Sequence, residues 1–139
     1  MRKITLIIIH CSAVRPDQVS SAEQIDRWHR ARGFRMIGYH YVVRRDGSVE
    51  RGRPEEAIGA HCTGHNAHSI GICYEGGLDS TGRPADTRTE AQRLTLLRLV
   101  GELRSRYPAA IVTGHRTFAR KACPCFDAEK EFNPLPPGS

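Results

Sequence analysis

Apolar residues fall along the chain in short runs of differing period. Ile4–Ile9 is continuous, a mixture of β-branched residues and Leu, and predicts a strand buried on both faces with His10 at its C-terminal end. Ser21 followed by Gln24 resembles a capping box. The helix it opens is expected to run to about Arg32, with Ile25 and Trp28 together on an inward face and Gly33 as the stop. Tyr39–Arg45 alternates, Asp46-Gly47 interrupts, and Ser48–Arg51 resumes, which predicts a hairpin. Residues Pro54–His68 read as irregular structure with one short helical turn, and Ser69–Tyr74 as another interior strand. Glu75–Asp86 is rich in Gly, Asp and Ser and reads as a surface loop. Thr89 and Gln92 form a second capping box, opening a helix to about Arg106 that carries Leu94, Leu97, Leu99, Val100 and Leu103. Ala110–Thr113 predicts a short strand that delivers His115; a loop through Pro124 and a short helix from Asp127 follow. The Pro-rich tail from Asn133 is expected to fray. With no repeat and no linker, the pattern predicts an α/β fold: a single domain over residues 1–139, with a mixed central β-sheet flanked by helices.

The length of 139 residues suits one domain, and 39% hydrophobic with 26% charged residues is ordinary for a globular protein. A net charge of +6 is compatible with nucleic acid, an anionic membrane surface, a bacterial wall, or a merely solvated surface. The basic residues are spread rather than clustered, which does not favour nucleic acid. No apolar run approaches the roughly 20 residues needed to span a bilayer, so no membrane insertion is expected. The N-terminal segment lacks a small-residue cleavage site and reads as a strand instead of a signal peptide, which predicts accumulation in the cytoplasm. Five cysteines cannot all pair internally, and reduced thiols are the expectation.

Seven histidines raise the question of a metal site. His10 ends the first strand and His115 follows a late one; if those strands run parallel, both imidazoles reach one rim of the sheet. Cys123 lies eight residues beyond His115, in a loop able to fold back over that rim. Two imidazoles and a thiolate suit Zn²⁺ and leave a fourth position for water. On spacing alone, strand-end histidines bonded to backbone remain the stronger reading. A rival set, His61, Cys62, His65 and His68, is dense but sits in one loop without a flanking ligand pair, and reads better as a substrate-contacting loop. Cys11 and Cys73 read as buried small residues, Cys125 as a spectator thiol, His29 as a helix-surface residue and His40 as a sheet-face residue.

An ordered set of motifs resembles the phage-type N-acetylmuramoyl-L-alanine amidases, whose fold animal peptidoglycan-recognition proteins share. It comprises Ile8-Ile9-His10-Cys11-Ser12-Ala13, Trp28-His29, Gly38-Tyr39-His40, Arg45-Asp46-Gly47, Gly59 with His61, Asn66 with Ser69-Ile70-Gly71, Gly76-Gly77, Gly114-His115, and Lys121-Ala122-Cys123-Pro124 with Phe126-Asp127. The resemblance covers about Ile4 to Phe132. It implies one Zn²⁺ ion held by His10, His115 and Cys123, with Tyr39 and Lys121 as catalytic residues. The implied reaction is hydrolysis of the amide between N-acetylmuramic acid and L-alanine in peptidoglycan, as in an endolysin, with Lys121 beside the developing oxyanion and Tyr39 holding water or donating a hydrogen bond. No Asp or Glu stands out as a general base. His61, His65 and Asn66 are expected to contact the sugar or stem peptide. Two other readings carry over: a binding module that recognises the wall without cutting it, and a cytoplasmic recycling amidase. Some amidases of this type also bind and inhibit an RNA polymerase, and no motif decides for or against such a partner.

Overall fold

A computed structural model describes residues 2–133. Its strands are β1 (Leu6–Cys11), β2 (Tyr41–Val43), β3 (Val49–Arg51), β4 (Ser69–Tyr74) and β5 (Ile111–Gly114). The helices are α1 (Ala22–Ala31), α2 (Glu90–Arg106) and α3 (Ala128–Phe132), with 3₁₀ turns at Asn66–His68 and His115–Thr117. The five strands form one sheet in the order β3-β2-β4-β1-β5, parallel except for β3 at the edge. This is the mixed α/β sheet that the sequence pattern predicts. The hairpin carrying β3 closes through Asp46-Gly47, where Gly47 takes φ +87°; the Gly47 amide donates to the Arg44 carbonyl at 2.9 Å, as does the Arg44 amide to Ser48.

Alternation along the strands sorts residues onto two unlike faces. Ile7, Ile9, Cys11, Tyr41, Val43, Ile70, Ile72, Tyr74 and Val112 share one apolar core with Leu96, Leu99, Val100 and Leu103 of α2 and with Phe126 and Phe132. The opposite face buries a smaller apolar cluster, Val42 and Cys73 against Ile25 of α1 and Ile37, together with Ile8. The rest of that face carries His10, Ser69, Gly71 and Thr113. The function of the sheet follows from this asymmetry: one side holds the fold together and the other is left for polar side chains.

Helix α2 corrects the expected inward stripe. Leu94 and Leu97 are each 60% exposed, whereas Leu96 is fully buried. The inward positions are Gln92, Leu96, Leu99 and Leu103, a spacing that keeps one helical face. Gln92 anchors that face. It completes the capping box with Thr89, and its side-chain amide donates to the carbonyls of Val43 (3.1 Å) and Glu75 (2.9 Å) at the ends of β2 and β4. At α1 only half of a box forms, Ser21 accepting from the Gln24 amide.

The expected surface loop after β4 begins in the interior. Glu75 is buried and accepts from the amides of Ser20 and Arg45 and from the Arg44 guanidinium, tying three loops together. Asn133, expected to start a frayed tail, is pinned to β5: its side chain accepts from the Val112 amide and donates to the Val112 carbonyl. The remainder of the predicted tail, 134–139, lies outside the described residues.

Replacing Gln92 with Leu leaves the buried Glu75 carbonyl unpaired, while the Val43 carbonyl keeps only the Glu75 amide, and should cost about 1–3 kcal/mol in a denaturant titration. Leu94→Ala, on the solvent side of the same helix, should change stability by less than about 0.5 kcal/mol. Equal losses from the two would contradict this assignment of the inward face.

Candidate metal centre and cleft

The parallel pairing of β1 with β5 sets Ile9 opposite Gly114, so the residues that follow each strand leave from the same rim. His10 is buried on the polar face and His115 sits in the 3₁₀ turn, with ring centroids 4.5 Å apart. Cys123 returns to this rim in the loop before α3. Its carbonyl accepts from the Arg116 amide at 2.7 Å, and its sulfur accepts from the Cys11 amide at 3.1 Å. Next to it Pro124 packs on Gly114, where a Cβ would come within 2.8 Å of the proline ring, and the Pro124 carbonyl accepts from the buried Tyr74 hydroxyl at 2.6 Å.

The imidazole nitrogens of His10 and His115 and the Cys123 sulfur come within 4.8 Å of one another. Tetrahedral zinc ligands stand roughly 3.3–3.8 Å apart, so three donors in this range can bracket one ion. One atom bears on the fit directly. His10 Nδ1 is buried and has no hydrogen-bond partner, one of two such side-chain atoms among the described residues, the other being Thr113 Oγ1. A buried lone pair aimed at nothing is costly unless something occupies the space before it.

The electrostatics favour the ligand forms of the histidines. Burial holds His10 well below the usual histidine range, helped by neighbouring His61, His115 and Lys121. His115 is lowered by burial and then by Lys121. Both are therefore neutral near pH 7, the form that binds metal. Cys11, behind Cys123, is pushed up to about 12, first by its hydrogen bond with Cys123, and stays a thiol. Cys125 lies 4.0 Å from Cys11, sulfur to sulfur, and is raised by that contact and by burial.

A cleft of two lobes, about 270 and 250 Å³, meets over this centre, and Tyr39, His115 and Lys121 line both. The Tyr39 phenol is held well above its usual value, by burial first and then by nearby Cys73 and Cys123, so it is a hydrogen-bond donor. The loop bearing it is fixed by α1: the Ile37 amide donates to Asp26 at 2.7 Å and the Gly38 amide to His29 Nδ1 at 2.9 Å. His29 is thus buried, contrary to the helix-surface expectation, because it accepts that amide. His40 is also buried, accepting from the Gly71 amide at 3.0 Å and lying 2.8 Å from the Ala57 carbonyl. Trp28, expected in the core, is 40% exposed and lines one lobe with Ala13 and Arg32. Arg32, not expected in the cleft, lines both lobes; its i, i+4 relation to Trp28 was the available signal.

The rival histidine loop does not gather into a site. His61 turns inward to His10, its Nδ1 2.8 Å from His10 Nε2. Cys62 is buried, and His65 stacks on Phe118 at 3.9 Å with its Nδ1 3.3 Å from His68. Asn66 lines one lobe and accepts from the amides of His61 and Cys62, both at 2.9 Å, so it also shapes the turn. His65 is not among the residues that line either lobe.

Burial depresses His10, His29, His40 and His61, the last to about 3. In the unfolded chain these groups take up protons near pH 6.5, and in the folded chain they do not. The unfolded state therefore binds more protons below that pH, and stability falls as pH falls. The melting temperature of the metal-free protein should drop steadily from pH 7.5 to 5, above the range where carboxylates titrate. A flat profile in that window would contradict the neutral, buried histidines.

Among known proteins, a family profile described as N-acetylmuramoyl-L-alanine amidase matches residues 1–126. The endolysin of Escherichia phage T7 is 41% identical over 124 residues, covering 89% of this chain and 82% of the relative. The structure of N-acetylmuramoyl-L-alanine amidase LysC from Clostridium intestinale URNW superposes with a TM-score of 0.79 at 30% identity, covering 94% of this chain and 82% of that one. Bumblebee PGRP-SA superposes with a TM-score of 0.77 at 25% identity, over 96% and 86% of the two chains.

Proposed function

The chain belongs to the N-acetylmuramoyl-L-alanine amidase family, and from that premise we propose that it is a zinc-dependent, endolysin-like amidase whose ion is held by His10 Nδ1, His115 and Cys123. Hydrolysis of the amide between N-acetylmuramic acid and L-alanine in peptidoglycan is the activity of that family. The observation that carries the zinc reading is the buried Nδ1 of His10, left without a hydrogen-bond partner in a residue whose donor converges with those of His115 and Cys123. A zinc ion there would acidify a water and polarise the scissile carbonyl.

The chain's own groups supply the remainder. Lys121, exposed at the mouth of both lobes, stabilises negative charge on the carbonyl oxygen as the carbon becomes tetrahedral. Tyr39, held protonated, donates a hydrogen bond to the same oxygen or orients the attacking water. Trp28, 40% exposed in one lobe, offers a surface for a sugar, and Asn66 and His61 border the other lobe, where the stem peptide would lie. A module that only binds the wall would not need a complete donor set, and here all three donors are present.

The test is a digest of purified peptidoglycan with mass analysis of the products, run before chelation, after chelation and after zinc is restored. Stem peptides beginning with L-alanine, lost and regained in step with zinc, are expected. Wall binding without such products at any zinc level would overturn the reading. Lys121→Ala should retain stoichiometric zinc while kcat falls about 10²–10³-fold, the loss typical of one oxyanion-stabilising group. Undiminished turnover would remove Lys121 from the mechanism.

A further inference from the structure

His61 is a cleft residue by position, yet its strongest contacts run inward. Its Nδ1 lies 2.8 Å from His10 Nε2, and its Nε2 lies 3.2 Å from the oxygen of the fully buried Ser69. The two imidazoles meet edge to face, at 84°. The backbone makes room for this ring: a Cβ on Gly71 would stand 2.7 Å from three of its atoms, and one on Gly59 2.7 Å from its Cδ2. Asn66 fixes the chain on either side of the ring through the His61 and Cys62 amides. Two glycines, a serine and an asparagine thus hold one buried imidazole against another.

Proton counting gives this contact a direction. A neutral histidine that offers Nδ1 to a metal carries its proton on Nε2. His10 Nε2 then donates, His61 Nδ1 accepts, and His61 bears its own proton on Nε2, where Ser69 Oγ accepts it. The reverse order would place an unpartnered N–H on the buried Nδ1 of His10 and leave that nitrogen unable to ligate. Resting on the zinc reading above, we propose that His61 is a positioning residue for the metal centre: with Ser69 it fixes the tautomer and ring orientation of His10. Metal-ligating histidines commonly need such a partner on their second nitrogen, and its removal typically weakens metal binding about 10–100-fold. Here the partner is a second neutral imidazole in place of a carboxylate, so the centre gains orientation without adding negative charge beneath the ion.

Side-chain isosteres separate this role from packing and from substrate contact. In His61→Asn the amide oxygen falls where Nδ1 stood and can still accept from His10. In His61→Gln the amide reaches the Nε2 position near Ser69 and leaves His10 unpaired. His61→Ala removes both. Zinc dissociation constants of the metal-free proteins, read by competition with a chromophoric chelator and paired with thermal melts, should stay close to wild type for His61→Asn. They should rise about 10–100-fold for His61→Gln and His61→Ala. If His61→Ala fails to fold, the contrast between Asn and Gln carries the test. Equal affinities in every folded variant, with changes confined to KM, would make His61 a substrate contact only and overturn the proposal. So would a larger loss in Asn than in Gln, which a space-filling role predicts. Absence of zinc binding by the wild-type protein would instead defeat the metal reading itself.

Discussion

Parallel pairing of β1 with both β4 and β5 is the constraint from which the rest of the molecule follows. Parallel neighbours must be joined by long crossovers, and here those crossovers supply the helices and the cleft loops. They also bring every strand end that matters to one rim. His10 leaves β1 there, His115 follows β5, and Cys123 is brought back by the loop that Pro124 and the Tyr74 hydroxyl hold against the sheet. Three donors from distant points of the chain come within 4.8 Å through this register and the returning loop, with no local motif.

The two faces of the sheet divide the labour. The α2 and α3 side is filled by Ile, Leu, Val and aromatic side chains, whose burial supplies most of the stabilisation. The other side keeps Ile8 and a small apolar cluster beneath α1, and buried histidines take much of the remaining space. Each is satisfied individually: His29 by the Gly38 amide, His40 by the Gly71 amide, His61 by His10 and Ser69. His10 keeps one nitrogen unpartnered, and that exception marks the centre. Among the described residues no helix is long and apolar enough to cross a membrane.

The sequence made β4 and both ends of α2 legible because the information there is local: an uninterrupted apolar run in one, a reciprocal Thr89–Gln92 cap and a terminal basic turn in the other. His10, His115 and Cys123 could be suspected from two strand ends and a loop able to return to them, whereas Tyr39 and Lys121 needed the family resemblance. The misplacements have tertiary causes. His29 read as a helix-surface residue because the Gly38 amide that buries it is supplied by tertiary packing, whereas His40 does lie on a sheet face and is buried there by its bond with the Gly71 amide. Trp28 read as core because its size outweighed its angle; on α1, His29 at i+4 from Ile25 lies nearer the inward direction than Trp28 at i+3. Glu75 and Asn133 lay in stretches of loop composition, and only their buried hydrogen bonds show that they anchor the chain.

If one metal ion is held by the Cys123 thiolate with His10 and His115, and the neighbouring thiols take no part, cobalt(II) substitution will report it, because a thiolate bound to that ion gives a charge-transfer band in the near ultraviolet. The band should appear at one equivalent of cobalt in the wild-type protein, persist in Cys11→Ser and Cys125→Ser, and vanish in Cys123→Ser. A band that survives in Cys123→Ser, or is lost in Cys125→Ser, would place the ion on a different thiol.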